Sequence, residues 1–364
     1  MRHATHIGRL GMLAAGLGIG AALAWTPGVA SADSSTELTP TELADIDQLL
    51  RGLLDPTGAD MQVSFNGMDL FPTAGNTATA TSGTGDIAIA IGDGANANSA
   101  GGGFPFGISL GSGIGDVAFA NGTNSTAEAG LLGGANFDFV FADGTSSLAN
   151  AELGANFDIA SANGTASNAQ VGVGDSFDIA SANGTNSYAD VGLGNDDTAF
   201  ADGTGSSATA GVGNVNLATA FGGGDATAGG FDTTAFANGA NSDATTEGGI
   251  IDSAFANGTS VDAVANGDLD NAAVSGTNAE AEAINGIGDL AYVVNTGSAF
   301  DEAIAGGTSA TAGGNNDIAE ILGTGSTALA GGDPTTAGNF DIAVILGDML
   351  KEIATGGNFL LSLL

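Results

Sequence analysis

Aspartate is the chemically capable residue that recurs most regularly in this chain. It begins successive five-residue apolar runs, at Asp116, Asp138, Asp158, Asp178, Asp197 and Asp252. Carboxylates stacked ~5 Å apart repel by about 1 kcal/mol per pair even in bulk water. The row therefore either hydrogen-bonds the backbone of the preceding turn or binds cations between units. Because the glycine-aspartate nonapeptide of calcium-binding β-rolls is missing, the sequence favours hydrogen bonding and keeps a calcium site as the alternative.

Composition excludes most catalytic chemistry. Both histidines, His3 and His6, lie at the N-terminus, and the chain has no cysteine. This removes the usual serine triad, a thiol nucleophile and the common zinc sites from residues 33–364. Lys351, the one lysine, follows Leu350 and does not fit a P-loop. Carboxylate pairs could hydrolyse glycosides, but a repeated surface gives no single pair a raised pKa. We therefore expect no enzymatic activity and predict no catalytic or cofactor-binding residues.

The first 32 residues have the pattern of a secretory signal peptide. Arg2 and Arg9 make the start of the chain positive, and an apolar run follows from Leu10 to Trp25. Ala30-Ser31-Ala32 is a small-residue cleavage pattern. The run has 16 residues, fewer than the ~20 needed to span a bilayer. The sequence therefore predicts cleavage after Ala32 and no transmembrane segment afterwards.

The charge of residues 33–364 is strongly one-sided. They contain 41 acidic residues but only two basic ones, Arg51 and Lys351. A nucleic-acid partner is excluded and an anionic membrane is disfavoured, because both need a basic surface. Without disulfides the fold must depend on backbone hydrogen bonds and packing. Despite 63 glycines, 43% of the residues are apolar, and their recurrence in register favours a repeat fold over disorder.

Repeats of about 20 residues fill the middle of the chain. The segment 157–172, FDIASANGTASNAQVG, is nearly identical to the segment 177–192, FDIASANGTNSYADVG. The glycine of the Asn-Gly or Asp-Gly turn recurs every 16 to 22 residues. It is found at Gly122, Gly144, Gly164, Gly184, Gly203, Gly239 and Gly258, with looser copies at Gly223, Gly276 and Gly297. The alternating runs before and after each turn predict two strands per coil. We therefore predict an all-β fold, a β-solenoid or β-roll, with about a dozen coils at ~4.8 Å each in a rod about 60 Å long. The alternative is a meander of antiparallel hairpins with type I′ Asn-Gly turns.

Phenylalanine forms a row of its own. Phe119, Phe141, Phe200, Phe236 and Phe255 stand two residues before the turn Asn or Asp, with Ser161 and Ser181 in two middle coils, and the residue directly before the turn is alanine. We predict that this row fills the interior and packs against the Ser/Ala face of the second strand, large opposite small. The alternative is an alanine interior with an exposed phenylalanine stripe, which indicates an oligomer or a docking surface.

Different segments flank the repeats. We predict a cap over residues 33–71, in which the capping box Thr39–Glu42 begins a helix from Pro40 to Leu54 and Asn66-Gly67 turns a hairpin from Met61 to Phe71. The solenoid then covers 72–347, with an insertion loop at 101–115. In the segment 348–364 we predict a short helix from Asp348 to Ala354 and an apolar tail that covers the last coil or acts as a docking peptide.

Two families resemble parts of the chain. The signal region IGRLGMLAAGLGIGAALAWTPGVASADSS, the segment VSFNGMDLF and the repeated FDIASANGT resemble secreted Gly/Ala/Asn-rich repeat proteins of mycobacteria, and the composition is distantly similar to the glycine-rich domains of the PE-PGRS group. The run 88–92, AIAIG, with the Ser-x-Ala-x-Gly runs, resembles the head repeats of trimeric autotransporter adhesins, which form a left-handed β-roll and bind host matrix. These resemblances imply an exported protein of the cell surface, and they assign no functional residues.

The sequence thus predicts a secreted or cell-envelope protein that is structural or adhesin-like and non-enzymatic. Its partner would be an unidentified envelope or host surface, and a monomer is favoured over a homo-oligomer. The alternative is a calcium-ordered secreted β-roll. A polysaccharide-active enzyme on a β-helix would need a base and several Arg or Lys residues in a groove, which this chain lacks.

Overall fold

The structure is a computed structural model. It describes residues 60–70, 76–99, 114–129, 137–151, 157–172, 176–259, 261–276, 279–294, 301–305, 318–322, 327–330, 341–346, 351–354 and 360–363. In these ranges all regular secondary structure is extended, with no helix. The predicted signal peptide, the helix from Pro40 to Leu54 and most of the insertion loop 101–115 lie outside the described residues.

The strands follow one another in chain order. The first half comprises β1 (Met61–Phe65), β2 (Met68–Asp69), β3 (Thr79–Ser82), β4 (Ile87–Ile91), β5 (Asn96–Ser99), β6 (Val117–Asn121), β7 (Thr126–Ala129), β8 (Phe139–Thr145), β9 (Leu148–Ala151), β10 (Ile159–Thr165), β11 (Asn168–Val171), β12 (Ile179–Thr185), β13 (Tyr188–Val191), β14 (Gly194–Asn195), β15 (Thr198–Asp202) and β16 (Ser207–Asn214). The second half comprises β17 (Leu217–Phe221), β18 (Asp225–Phe231), β19 (Thr234–Asn238), β20 (Ser242–Ile250), β21 (Ser253–Asn257), β22 (Val261–Asp268), β23 (Asn271–Ser275), β24 (Ala279–Ile287), β25 (Leu290–Val294), β26 (Asp301–Ala305), β27 (Ile318–Leu322), β28 (Thr327–Ala330), β29 (Asp341–Leu346), β30 (Lys351–Ala354) and β31 (Leu360–Leu363).

The strands form a β-solenoid, as predicted. Among the described residues the first sheet has 16 strands, in the order β2-β1-β4-β6-β8-β10-β12-β15-β17-β19-β21-β23-β25-β27-β29-β31, and the second has 15, from β3 to β30, with β14 beside β16. Successive coils pair in parallel and mostly residue for residue, as Ile159–Thr165 pairs with Ile179–Thr185; four strand pairs of the second sheet, from β16–β18 to β22–β24, have a register shift. The hairpin meander is therefore wrong, because identical units stack like on like.

The Asn-Gly turns do not reverse the chain as hairpins do. Gly164 has a φ of +133°, and the left-handed position falls two residues later, at Ala166 with a φ of 54°. The ladder continues through this corner, since the N–H of Ala166 donates to the carbonyl oxygen of Thr145 in the preceding coil at 2.9 Å. Each turn thus joins one sheet to the other instead of joining two antiparallel strands.

The interior contains alanine, and the predicted phenylalanine interior is wrong. Two columns from each sheet face inward, with members such as Ala118, Ala120, Ala127 and Ala129 at 0–1% exposure. Because both inner faces carry methyl groups, there is no volume for a ring between them. Strand alternation then places the phenylalanine row outside, where Phe141 and Phe255 are exposed. The small inward face of the second strand was predicted correctly.

The two ends of the described chain differ from the repeats. The predicted hairpin is confirmed: β1 pairs antiparallel with β2 around Asn66 and Gly67 and also pairs antiparallel with β4. The capping role of residues 33–71 stays a prediction.

At the C-terminal end, the predicted helix from Asp348 to Ala354 is wrong for residues 351–354. These residues form β30, parallel to β28, because an in-register partner strand overrides local helix propensity. The apolar tail contributes β31 beside β29, so it extends the first sheet.

Candidate functional site

The recurring aspartates form one buried column at a corner of the solenoid. Asp116, Asp138, Asp158, Asp178, Asp197 and Asp252 are all 0–1% exposed. The structure adds three members that sequence reasoning missed, Asp86, Asp270 and Asp289, which also stand directly before a strand. They were missed because we aligned the units on Asn-Gly and Asp-Gly turns. We call all nine residues the aspartate ladder; Asn216 and Thr233 continue the column between Asp197 and Asp252.

Each ladder carboxylate for which a bond is described receives a hydrogen bond from the following coil. The Oδ1 atom of Asp138 accepts from the backbone N–H of Asp158 at 3.2 Å, and that of Asp158 accepts from Asp178 at 2.9 Å. The same contact joins Asp252 to Asp270 and Asp270 to Asp289, both at 2.9 Å. The predicted backbone hydrogen bonding is therefore correct in kind, and in these four contacts the partner is the equivalent residue of the next coil.

Burial changes the protonation of this ladder. Burial, reinforced by neighbouring ladder carboxylates, raises the pKa of Asp116 and of Asp138 to about 7 and that of Asp270 to about 6. The pKa values of Asp86 and Asp252 are also raised, with burial as the main cause. The Oδ2 atoms of these five residues have no hydrogen-bond partner in the described part of the chain. A carboxyl group in this environment is more stable in its neutral form.

The described residues contain no group of three or more His, Cys, Asp or Glu side chains arranged to hold a metal ion. The ladder places no more than one carboxyl group in each described coil, and the Oδ1 atoms of residues such as Asp116, Asp138 and Asp252 are occupied by N–H donors. The described residues also contain no helix long and apolar enough to cross a membrane. The sequence-predicted aspartates are thus brought into one column, and the arrangement they form is a protonatable ladder.

The outer surface of the first sheet is apolar. On β6, β8, β10, β12, β15, β17, β19 and β21, the first and third positions point outward in register and carry no charged residue. We call these two columns the apolar face. Their members are Val117, Phe139, Ile159, Ile179, Thr198, Leu217, Thr234 and Ser253, and Phe119, Phe141, Ser161, Ser181, Phe200, Thr219, Phe236 and Phe255.

Phenylalanine rings contact one another along this face. Phe119 and Phe141 have ring centroids 6.4 Å apart, and Phe236 stacks on Phe255 at 4.9 Å with an interplanar angle of 3°. Phe221, on the fifth position of β17, bridges Phe200 and Phe236 at 5.7 and 5.6 Å. The in-register pairing of the strands aligns the rings, so the face is an ordered aromatic surface.

A second aromatic column borders the apolar face at the corner. Phe137, Phe157 and Phe177, which we call the corner phenylalanines, stack at 5.1 and 5.3 Å and are 41%, 49% and 58% exposed. Their φ angles are 63–64°, a left-handed conformation that bulky residues rarely adopt. Glycine has the same place before Asp86, Asp116 and Asp289. Sequence reasoning missed this column, although the repeated Phe-Asp pair was its signal.

The outer surface of the second sheet is acidic. Asp225, Asp243, Asp262 and Glu280 lie side by side on β18, β20, β22 and β24, and we call them the acidic row. Burial, with the charges of Asp243 and Glu280, raises the pKa of Asp262 to about 6. Burial and the charge of Asp243 also raise the pKa of Asp225. The apolar face of the first sheet therefore differs from the acidic row of the second: one is uncharged and carries aromatic rings, and the other is a run of carboxylates on four neighbouring strands.

The comparisons with known proteins add no relative to this picture, since no family model, no curated protein and no solved structure matches the chain.

Proposed function

We propose that this chain is exported and acts in or on the cell envelope as a non-enzymatic structural and interaction protein, adhesin-like in that it binds through a repeated outer surface. The observation that carries this proposal is the closed interior. The inward alanines and valines of the described coils are at most 2% exposed, so these side chains fill the interior in that part of the chain. A partner must therefore meet the outer faces.

The chemistry of the outer faces supports binding over catalysis. The apolar face offers ordered aromatic rings and hydroxyl groups with no carboxylate or histidine among its members to act as a base, and the acidic row repeats carboxylates on neighbouring strands. Residues 33–364 contain no histidine or cysteine. Export is supported by the signal-peptide pattern of residues 1–32 and by the resemblance to secreted repeat proteins of mycobacteria.

Export can be tested by expressing the full chain in a mycobacterial host. We expect the protein in the envelope and medium fractions, with Asp33 as its first residue, because Ala30-Ser31-Ala32 precedes that bond. Immunoblots of the fractions and N-terminal mass spectrometry measure both. A chain without residues 1–32 is the matched control and should stay in the cytosol. Retention of the full-length chain in the cytosol with residues 1–32 attached would overturn the export proposal.

Folding should not depend on metal ions. The Oδ1 atoms of ladder residues such as Asp138 and Asp252 already accept backbone hydrogen bonds, so the ladder needs no cation to order it. We expect the β-type far-ultraviolet circular dichroism and the melting temperature to be the same in chelator and in millimolar calcium. A chain that is unfolded in chelator and ordered by calcium would replace this proposal with the alternative, a calcium-ordered secreted β-roll.

A further inference from the structure

We propose that the apolar face is the contact surface between two copies of this chain, packed face to face around a two-fold axis. The inference builds on the proposed role as an interaction protein and names one partner of its outer surface. It follows from the placement of charge, the area of the face and the order of side chains along it.

Charge placement selects the apolar face for self-association. The chain has a net charge of −37, so most contacts between two copies bring carboxylates together. The outer surface of the second sheet carries the acidic row, where a basic partner would bind. The two columns of the apolar face carry no charge across eight strands; Asp143 and Asp202 lie at the fifth position on one border, and Asp196 and Asp232 lie at the corner position on the other. Two copies can therefore approach through this face with the least repulsion.

The area of the face matches what a stable dimer needs. Eight strands at ~4.8 Å span about 38 Å, and five residues at ~3.3 Å span about 17 Å, which gives about 650 Å². The corner phenylalanines widen the face over three of the eight coils, so that its area approaches the ~800 Å² that each partner typically contributes to a specific interface. Two aligned sheets also pack stably through apolar faces, as in β-sandwiches.

The order of side chains along the third position suits a two-fold axis. A phenylalanine pair stands at each end, Phe119 with Phe141 and Phe236 with Phe255, and the small residues Ser161, Ser181 and Thr219 lie between them around Phe200. In a two-fold contact residue i meets j and j meets i. An axis parallel to the strands and between β12 and β15 places each phenylalanine pair opposite the other pair of the second copy.

The same axis also separates the charges at the fifth position. Asp202 then faces Asn183 of the second copy, and Asp143 faces Asn238. No carboxylate of the fifth position meets another carboxylate across the axis, so the arrangement is compatible with the negative charge of both copies.

The corner phenylalanines lie at one border of the face. Their left-handed φ belongs to the corner itself, because Val215 and Ile251 have φ angles of 62° and 64° at the same place in other coils. The proposed axis places Phe157, which is half-exposed, opposite Val215 of the second copy. This adds an apolar contact at the border of the face.

The oligomeric state of the full chain, purified from the culture medium of a secreting host, tests the inference. We expect light scattering and sedimentation to give a dimer mass at micromolar concentration. Ser181→Asp places a charge in the middle of the face and should weaken dimerisation by at least about tenfold. Thr209→Asp, at an equivalent outward position of the second sheet, is the matched control and should leave the dimer intact.

Two further variants keep the test decisive. Phe157→Gly introduces the residue that three other coils have at this corner position, so the variant should fold normally and still weaken the dimer. Because the chain has no cysteine, Ser181→Cys near the proposed axis should be cross-linked between copies by a short bis-maleimide, whereas Thr209→Cys should not. A parent chain that stays monomeric, or a dimer unaffected by both Ser181→Asp and Phe157→Gly, overturns the inference.

The outcome is distinguishable from failure of the proposed function. A monomer that is exported and found in the envelope overturns only the dimer. A dimer that is retained in the cytosol of the mycobacterial host overturns only the envelope role.

Discussion

Replacing Gly164 with alanine should unfold the neighbouring coils. A Cβ atom added at Gly164 would overlap the backbone carbonyl oxygen of Gly184 in the next coil, and the φ of +133° is itself unfavourable for alanine. Neither group can move without breaking the parallel ladder. We expect a loss of about 3–5 kcal/mol in the free energy of unfolding, the sum of backbone strain and steric overlap, measured by urea denaturation with circular dichroism.

Gly205→Ala is the matched control for this prediction. Gly205 also has a positive φ, +71°, but no atom lies within 4 Å of the position that a Cβ would occupy. This variant should lose only about 1–2 kcal/mol, the penalty of the left-handed conformation alone. Equal losses in the two variants would show that the close stacking of turns at Gly164 does not limit stability.

Acidification should stabilise the protein, with the free energy of unfolding several kcal/mol higher near pH 4.5 than near pH 8. In the folded state the pKa values of Asp116 and Asp138 are raised from 3.8 to about 7, and that of Asp270 to about 6. Between these values and 3.8 the folded chain binds more protons than the unfolded chain. The contribution of these three groups to stability is therefore fully present below pH 3.8 and is lost as the pH rises towards 7. Asp262, on the acidic row, acts in the same direction.

Asp138→Asn separates the aspartate ladder from the remaining acidic groups. Asparagine keeps an Oδ1 acceptor without a charge, and Asn216 already continues the column between Asp197 and Asp252 with its side-chain oxygen facing the next coil. We expect this variant to be more stable than the parent at pH 8 and to have a weaker pH dependence. Asp143→Asn, an exposed substitution, is the control. Denaturation curves from pH 4 to 8 measure the effect, and a parent chain that loses stability from pH 8 to 5 would contradict it.

The solenoid could be predicted from the sequence because its architecture follows from repetition. Near-identical units such as 157–172 and 177–192 stack most simply by translation, and the observed register of Ile159 on Ile179 is the result. The small face of the second strand was also readable, since Ala169 and Val171 alternate with polar neighbours. These features depend only on the order of residue types within one unit.

The orientation of the first strand could not be read in the same way. Alanine and large apolar residues alternate there, so both faces are apolar, and only the distance between the sheets decides which one faces inward. That distance is a property of the closed coil. The burial of Asp138 and its equivalents could not be predicted either, although their recurrence was visible. An ionisable residue is expected at the surface, and Asp138 is buried because the next coil supplies an N–H donor to its carboxylate. The left-handed conformation of Phe157 could not be predicted from conformational preference, because bulky residues rarely adopt it.

The exact register between coils also bears on how such a chain can change over generations. Ile159–Thr165 pairs in register with Ile179–Thr185. A duplicated coil inserted here would therefore meet the same neighbours as the original, and after deletion of one coil the coils on either side would meet equivalent residues. Duplication or loss of a whole unit therefore introduces no new kind of contact, whereas insertion of a single residue within a strand would move the residues after it out of their columns. Length is then a trait that can drift freely in steps of one coil, while the composition of each column is constrained.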